Sequence, residues 1–421
     1  MKEKIEKAVL VGIQQQGEGS ESLQELQDLV RTVGAEVQKV FVQRIRKINP
    51  STYIGKGKVD EILQYIKEND VDIVIIDESL SPGQESNLQT IFELPVLDRT
   101  AVILDIFAQH AHTKEGSLQV ELAQLHYRLP RLVGSKKYLS RLGGGIGTQG
   151  PGETQLEVDR RRIRERIGHI KEELSQVRQH RELHRKKRQE VPLPVISLIG
   201  YTNAGKSTLL NHLCKKDVVR AEDKLFATLD PTTRRIILPN KQPILVTDTV
   251  GFIKKLPYHL VEAFKATFEE IGESDLLIHV IDGSHPLFAE QAETVLKVLE
   301  EMKFFHKPIL HVYNKFDLFQ GDRERFLKNP KLFPSLLISA EKNINLDELL
   351  LKIQEMLPHI AEEITLVLPL DEKAQKTRAF ISEYGKILEE RVENEELHIK
   401  ACVLKKAAEY LRTRPLQQKK N

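Results

Sequence analysis

Residues 200–207 read Gly-Tyr-Thr-Asn-Ala-Gly-Lys-Ser and match the phosphate-binding loop pattern Gly-x-x-x-x-Gly-Lys-Ser. The apolar run 195–199 precedes this loop, and the stretch 208–213 that follows it reads as a helix. The loop thus has the strand-to-helix context that the motif needs, which predicts an α/β domain of the P-loop class. A plain glycine turn, the ordinary alternative, does not explain the full pattern in this context.

The loop residues have separate expected roles in binding phosphate. Backbone N–H groups would surround the β-phosphate at a helix N-terminus, and Gly200 and Gly205 would let the backbone come close. Lys206 would place its charge toward the β- and γ-phosphates, and the Ser207 hydroxyl would ligate Mg²⁺. The predicted nucleotide-binding residues here are Gly200, Tyr201, Thr202, Asn203, Ala204, Gly205, Lys206 and Ser207. This loop alone does not choose between ATP and GTP.

A second motif, Asn314-Lys315-Phe316-Asp317, favours guanine. The Asp317 carboxylate would accept from guanine N1–H and from the exocyclic amine, whereas adenine has no donor at N1. Asn314 would contact the purine N7 and brace neighbouring loops, and Lys315 would lay its alkyl stem along the base. Phe316 belongs to the same predicted set, and so do Ser339, Ala340 with its N–H on guanine O6, and Glu341.

The motif Asp248-Thr249-Val250-Gly251 follows an apolar strand and is expected to sense the γ-phosphate. Asp248 would hold Mg²⁺ through water, and the Gly251 N–H would bind the γ-phosphate, with Lys206, Thr228 and Gly251 as the catalytic set. Phe252 stands where Ras-like enzymes carry a glutamine that orients water, and a phenyl ring cannot do this. Intrinsic hydrolysis should therefore be slow, and the missing group would come from elsewhere in the chain, from a monovalent cation, or from a partner that orders the site.

Residues 226–233, Phe-Ala-Thr-Leu-Asp-Pro-Thr-Thr, occupy the position of the first switch. Thr228 is the predicted ligand of Mg²⁺ and the γ-phosphate, with Thr232 or Thr233 as the alternative. The predicted nucleotide-binding residues of this segment are Phe226, Ala227, Thr228, Leu229 and Asp230. An ordinary threonine-rich turn before a strand stays open as the simpler interpretation.

The composition is that of a soluble nucleotide enzyme in a reducing compartment. The chain has 421 residues, a net charge of +2 and two cysteines, which lie too far apart in the sequence to suggest a disulfide framework or a metal cluster. No run is apolar enough to span a bilayer, and no signal peptide core follows Met1. We expect a cytoplasmic monomer without stable membrane insertion.

A local basic segment departs from this neutral balance. Residues 160–188 hold 12 Lys or Arg against 4 Glu, and apolar residues from Leu156 to Val177 recur at helical spacing. A matching apolar stripe runs from Leu118 to Leu139, which predicts an antiparallel helical hairpin with a glycine-rich tip at 143–152 and a kink at Pro130. The candidate RNA-binding residues are Gly144, Gly145, Gly147, Gly150, Gly152, Arg160, Arg161, Arg162, Arg164 and Arg166. A solvated helix face is the alternative.

Four domains are predicted from these patterns. Residues 1–112 alternate strand and helix and indicate a parallel α/β domain, and residues 113–190 form the helical hairpin. Residues 191–358 form the nucleotide-binding domain, and residues 359–421 form a small α+β module. The fold class is therefore α/β, with a P-loop domain at its centre.

The run from Gly144 through Arg161, with residues 200–207, 226–231 and 248–252, resembles bacterial HflX, a family of translation-associated GTPases in the TRAFAC class. Segments 104–108 and 119–125 are also similar, and the likeness covers about residues 8–360. The resemblance implies a GTPase that binds the large ribosomal subunit, inserts the glycine tip toward the peptidyl-transferase region, and splits stalled or idle ribosomes under stress. Hydrolysis of GTP to GDP and phosphate would then release it.

The resemblance also implies cofactors and leaves competing functions. Asn203 matches an asparagine that K⁺-dependent relatives use, so K⁺ stimulation beside Mg²⁺ is a hypothesis. Relatives are reported to use ATP through the N-terminal domain, but no second phosphate loop supports this here. The alternatives are a GTP-gated adaptor for a protein or membrane partner, and an RNA-remodelling NTPase.

Overall fold

The computed structural model describes most of the chain in separate ranges. These are residues 5–14, 21–44, 48–132, 155–188, 193–214, 226, 228–240, 242–255, 265–304, 306–319, 332, 334–357, 361–393 and 395–413. The chain divides into two compact units, each described by itself below. Unit 1 comprises 1–177, 223–229 and 254–265, and unit 2 comprises 178–222, 230–253 and 266–421.

The first part of unit 1 is a four-stranded parallel sheet of order β2-β1-β3-β4. Its strands are β1 Lys7–Gln14, β2 Glu36–Arg44, β3 Ile73–Ile76 and β4 Val96–Asp98. Its helices are α1 Glu21–Thr32, α2 Lys56–Glu68, α3 Pro82–Phe92 and α4 Arg99–His110. The predicted parallel α/β layer is confirmed.

Local sequence explains where these elements begin. All four residues of β3, Ile-Val-Ile-Ile, are buried, as expected for a central parallel strand. Ser81 and Gln84 form a capping box ahead of α3, and Pro82 occupies its first turn. The Asp98 carboxylate caps α4 by accepting from the Ala101 N–H at 2.9 Å.

Buried charges close the carboxyl end of this sheet. Arg99, 1% exposed, donates to Asp77 at 2.8 Å and pairs with Glu25. Arg131 pairs with Asp98 at 3.0 Å and with Glu85 at 2.7 Å. Since buried charges persist only when paired, these groups form a structural network.

Two long helices follow, α5 Lys114–Arg131 and α6 Gln155–Arg188. Leu118 of α5 packs in one cluster with Ile170 and Leu174 of α6. Arg166 donates both guanidinium N–H groups to the Glu121 carboxylate at 2.7 Å, and Lys114 lies 3.7 Å from Glu173. Because positions rising along α5 meet positions falling along α6, the helices are antiparallel, as predicted.

The predicted glycine tip at 143–152 lies outside the described residues. Helix α5 contains Pro130 in its last turn and ends at Arg131. Proline has no N–H for the helical hydrogen bond, and its ring clashes with the carbonyl group four residues earlier, so the kink expected at Pro130 stays a prediction. With 34 residues, α6 is about 50 Å long.

Unit 2 contains a six-stranded sheet of order β10-β9-β8-β5-β7-β6, in which only the β6–β7 pair is antiparallel. Its strands are β5 Val195–Gly200, β6 Thr232–Ile237, β7 Pro243–Asp248, β8 Leu276–Asp282, β9 Ile309–Asn314 and β10 Ser335–Leu337. Its helices are α7 Lys206–Cys214, α8 Lys265–Glu273, α9 Phe288–Glu301 and α10 Leu346–Met356. The predicted P-loop domain is confirmed, with the loop between β5 and α7.

The end of the chain forms the predicted α+β module. A three-stranded antiparallel sheet of order β11-β13-β12 is built from β11 Ala361–Pro369, β12 Gly385–Glu393 and β13 Glu396–Leu404. Helices α11 Glu372–Tyr384 and α12 Lys405–Thr413 accompany it. Leu193 is buried in the core of this module, and Leu245 of β7 packs against the same core. Both contacts lie within unit 2.

A pair of buried histidines lies side by side on β8 and β9. His279 and His311 are paired in the sheet register, and their Nδ1 atoms are 3.0 Å apart. Burial lowers the pKa of His311 to about 4 and lowers the pKa of His279 well below its usual value, with His311 and Lys206 adding to the second effect. Both rings are therefore neutral at pH 7, one donating and the other accepting.

This pair predicts loss of stability in mild acid. Above pH 6.5 both the folded and unfolded histidines are neutral; as the pH falls below that value the unfolded chain takes up protons first, which favours unfolding. The lowered pKa of His311 alone should reduce the free energy of unfolding by on the order of 3 kcal/mol by about pH 4. We expect the midpoint temperature of thermal unfolding to decrease as the pH is lowered from 6.5 to 5. The decrease should be smaller in the His279→Leu/His311→Leu variant. Equal falls in both proteins would contradict this assignment.

Among the described residues, no helix combines the length and the apolar character that crossing a membrane requires.

Candidate nucleotide-binding site

The phosphate-binding loop depends on two glycines. Gly200 has φ +155°, and a Cβ there would lie 2.2 Å from the Val280 carbonyl oxygen. Gly205 has φ +90°, and a Cβ there would lie 2.2 Å from Asn314 Nδ2. The loop backbone therefore packs closely on Val280 of β8 and on Asn314 at the end of β9. Only glycine fits at positions 200 and 205.

Lys206 is buried at the start of α7, 6% exposed. Its Nζ donates to the carbonyl oxygens of Tyr201 at 2.8 Å and Gly200 at 3.1 Å. Burial lowers its pKa to about 8, although Asp248 opposes the shift. The ammonium group is thus held inside the loop, and its contact with phosphate stays a prediction.

Ser207 and Asp248 meet directly. The Ser207 hydroxyl donates to Asp248 Oδ2 at 2.7 Å, although 41 residues separate them in the chain. An oxygen-only pair of hydroxyl and carboxylate suits Mg²⁺, which prefers such ligands and keeps several waters. No group of three or more His, Cys, Asp or Glu residues that could hold a metal occurs in the described ranges.

The segment after Asp248 is tied to the phosphate loop by backbone and side-chain bonds. Thr249 donates its hydroxyl to the Leu198 carbonyl at 2.6 Å, and the Phe252 N–H donates to the Gly200 carbonyl at 3.0 Å. A Cβ at Gly251 would lie 2.8 Å from Thr202 Cα and 3.1 Å from Lys206 Nζ. Val250, which lies between Thr249 and Gly251 in the sequence, is buried. Gly251 is thus close to the loop and to the lysine.

Phe252 is part of the core. Its side chain is 2% exposed and stacks on Phe268 with ring centroids 5.9 Å apart. The Phe252 carbonyl accepts from the Thr202 N–H at 2.8 Å. A buried phenyl ring has no group to align water, in agreement with its sequence-based interpretation.

Asn314 joins the phosphate loop to the base-binding loops. Its Nδ2 donates to the Ala204 carbonyl at 2.9 Å, and its Oδ1 accepts from the Ala340 N–H at 2.9 Å. The bracing role predicted for Asn314 is visible here. The Ala340 N–H, which the sequence assigns to guanine O6, is bonded to Asn314 in this structure, and its bond to guanine stays a prediction.

The other base-binding candidates surround Asn314. Lys315 has a left-handed backbone, φ 59°, and Phe316 and Asp317 lie in a 3-10 helix, Phe316–Leu318. Asp317 is exposed, as is Glu341, whereas Ser339 is fully buried and its Oγ accepts from the Lys342 N–H at 3.2 Å. The Asp317 carboxylate is therefore accessible to an incoming base.

The first switch candidates are divided between the two units. Phe226, Thr228 and Leu229 are buried in unit 1, where the Phe226 ring packs edge-on against Phe107 of α4 at 4.6 Å. Ala227 lies outside the described residues. Asp230 belongs to unit 2.

The alternative threonines lie on β6. Thr232 pairs with Asp248 in the β6–β7 register, and Thr233 Oγ1 lies 2.9 Å from Thr247 Oγ1. Thr233 is therefore engaged in the sheet, whereas Thr228 belongs to a loop.

Two ion pairs of residues that adjoin the predicted motifs in sequence or in the sheet were not found from the sequence. Lys255, after the Asp248 motif, pairs with Glu78 and lies 3.7 Å from Asp77 Oδ2, all within unit 1. Asp282, at the end of β8, pairs with Lys315 at 2.8 Å in unit 2. The only sequence signal for Asp282 is a carboxylate at the end of an apolar strand, which many strands share.

Family models cover most of the chain. A model described as GTP-binding GTPase N-terminal matches residues 20–108, and one described as GTP-binding GTPase Middle Region matches residues 110–188. A third, described as 50S ribosome-binding GTPase, matches residues 195–315.

Similar proteins share most of the length. GTPase HflX of Caldanaerobacter subterraneus subsp. tengcongensis is 46% identical, over 97% of this chain and 93% of that protein. GTPase HflX of Escherichia coli is 43% identical, over 89% and 88%. A GTP-binding protein from Sulfolobus solfataricus, solved in complex with GDP, is 27% identical with a TM-score of 0.46, over 84% of this chain and 99% of that one. With 46% identity over nearly its whole length, the chain belongs to the GTPase HflX family and is a GTP hydrolase.

Proposed function

We propose that this GTPase binds the large ribosomal subunit in its GTP form and splits stalled or idle ribosomes under stress, with hydrolysis allowing release. The observation that carries this proposal is the match of residues 195–315 to a model described as 50S ribosome-binding GTPase. Within this proposal, the protein acts in the cytoplasm as a monomer, with domains at 1–112, 113–190, 191–358 and 359–421.

A basic helix face supports RNA as the partner. On α6 the side chains of Arg161 and Arg162 are 56% and 72% exposed, Arg164 is also exposed, and Arg160 is half-buried. Arg166 is different, since its guanidinium is bonded to Glu121 and stabilises the hairpin. We therefore assign phosphate contacts to Arg160, Arg161, Arg162 and Arg164, and a structural role to Arg166.

The site residues support hydrolysis that a partner stimulates. Ser207 directly and Asp248 through water would hold Mg²⁺, with Thr228 as a further ligand. The bound ion would neutralise charge on the phosphates during transfer. Lys206 and the Gly251 N–H would bind the transferred phosphate, and the buried ring of Phe252 leaves the attacking water to be aligned by a group from the partner. K⁺ beside Asn203, exposed in its loop, is part of the same proposal.

The test is co-sedimentation of the full chain with purified 50S subunits. We expect binding with a non-hydrolysable GTP analogue, at least tenfold weaker binding with GDP, and dissociation of 70S particles only in the GTP form. The Arg161→Ala/Arg162→Ala/Arg164→Ala variant should bind more weakly and lower the slope of log affinity against log salt by about 3.

The control removes three basic residues elsewhere, the half-buried Lys352 and the exposed Lys373 and Lys376, and should leave binding unchanged. Equal binding in both nucleotide states would contradict the proposal. Binding that resists nuclease and high salt would instead indicate a GTP-gated protein adaptor, and splitting driven equally by ATP would indicate an RNA-remodelling NTPase.

A further inference from the structure

Asp282 and Lys315 lie side by side at the carboxyl ends of two neighbouring parallel strands. Asp282 ends β8 and is the register partner of Asn314, which ends β9 and precedes Lys315. Lys315 Nζ lies 2.8 Å from Asp282 Oδ2, and the two side chains are 25% and 13% exposed. Ligands of parallel α/β sheets bind at this edge.

The Asp282 carboxylate is held by its own loop. Its Oδ1 accepts from the Ser284 hydroxyl at 2.6 Å and from the Ser284 N–H at 3.0 Å. The Gly283 N–H donates to the Asn314 carbonyl at 2.9 Å, which joins this loop to β9. One carboxylate oxygen is thus fixed by Ser284, and the other is left for the lysine.

The backbone of Lys315 is also fixed. It has φ 59° and ψ 31°, and the next N–H, that of Phe316, donates to the Ile338 carbonyl at 3.1 Å. With both ends of the side chain held, the four-carbon stem is restricted to a few conformations before any nucleotide arrives. A long side chain that must be ordered on binding weakens affinity by about two- to tenfold.

We propose that Asp282 is a positioning residue for guanine recognition: it holds the Lys315 ammonium group so that the lysine stem forms a wall of the base site in advance. Ser284 orients Asp282 in this arrangement. The effect acts on the base and not on the phosphates, so GDP and GTP should be affected alike. It also requires no ribosome, so its test is independent of the function proposed above.

The Asp282→Asn variant tests this proposal. We expect the Kd of fluorescent GDP and of a non-hydrolysable GTP analogue to rise by the same factor, about fivefold. The KM for GTP should rise with kcat unchanged, because the bond contributes equally to bound substrate and transition state. Ser284→Ala, which frees one carboxylate oxygen, should give a smaller rise in the same direction.

A double-mutant cycle separates positioning from a general structural effect. In a Lys315→Ala background, Asp282→Asn should cause no further loss of affinity, because Asp282 acts through the lysine. The control is Glu355→Gln, which removes an exposed pair with Lys352, also at 2.8 Å in unit 2, and should leave both Kd values unchanged. Unchanged affinity in Asp282→Asn, or an equal loss with and without Lys315, would overturn the proposal.

Discussion

The Asp317→Asn variant is expected to bind GTP about 100- to 1000-fold more weakly than the native protein. Asp317 is an exposed residue in the 3-10 helix after Asn314. Guanine presents two donors, N1–H and the exocyclic amine, and a carboxylate accepts from both. The amide of asparagine keeps one acceptor oxygen, but its NH2 group replaces the other oxygen. One hydrogen bond to guanine is therefore lost, and two N–H donors now face each other.

Calorimetric titration with GTP, ATP and XTP would measure this change. The preference for GTP over ATP should collapse, while XTP, which has a carbonyl where guanine has the amine, should gain affinity. Asp347→Asn, which changes another exposed acid, in the first turn of α10, is the matched control and should change GTP affinity less than twofold. An unchanged preference for GTP in Asp317→Asn would remove the basis for assigning guanine to this loop.

The Gly205→Ala variant should lose nucleotide binding by at least about 100-fold. The new Cβ would lie 2.2 Å from Asn314 Nδ2, and φ +90° is strained for any residue with a side chain. Asn314 would have to leave its bonds to the Ala204 carbonyl and the Ala340 N–H, both 2.9 Å long. One methyl group would therefore disturb the phosphate loop and the base loops together.

Gly168→Ala is the matched control, because nothing lies within 4 Å of a Cβ at that helical position. Alanine in α6 should raise stability by about 1 kcal/mol and leave nucleotide affinity unchanged. Fluorescent GDP binding and thermal unfolding would be measured for both variants. If Gly205→Ala bound GDP like the native protein, the close packing of Asn314 on the loop would not matter for the site.

Much of the fold could be predicted because the pattern is local. The buried run of β3 and the caps at Ser81 and Asp98 mark strands and helix starts within a few residues. The phosphate loop is also continuous in sequence, so its glycines and Lys206 were identified directly. The matching apolar stripes of α5 and α6 predicted a hairpin because both helices bury leucine and isoleucine at the same spacing.

The contacts that could not be predicted join residues far apart in the chain. The motif predicts that Asn314 braces neighbouring loops, but sequence spacing does not indicate that its partner is the residue before Gly205, or that Arg166 is neutralised by Glu121. The same holds for Asp282, whose role depends on the strand order that places β8 beside β9. A count of charges does not distinguish one arginine of α6 from another. Arg166 differs from its neighbours because α5 packs beside it and brings the Glu121 carboxylate to its guanidinium group.

The anchoring of Phe226 on Phe107, and of Lys255 on Glu78 and Asp77, has a thermodynamic consequence. Phe226 belongs to the first segment expected to respond to a third phosphate, and Lys255 follows the second, yet their partners lie in α4 and directly after β3. Linkage is reciprocal. If these contacts differ between the GTP and GDP forms, a substitution at Phe107 or Glu78 stabilises or destabilises the two forms unequally, and the ratio of the GTP and GDP affinities must change by that difference in free energy. Residues far upstream of the phosphate loop in the sequence would thereby change the energetics of the GTPase cycle.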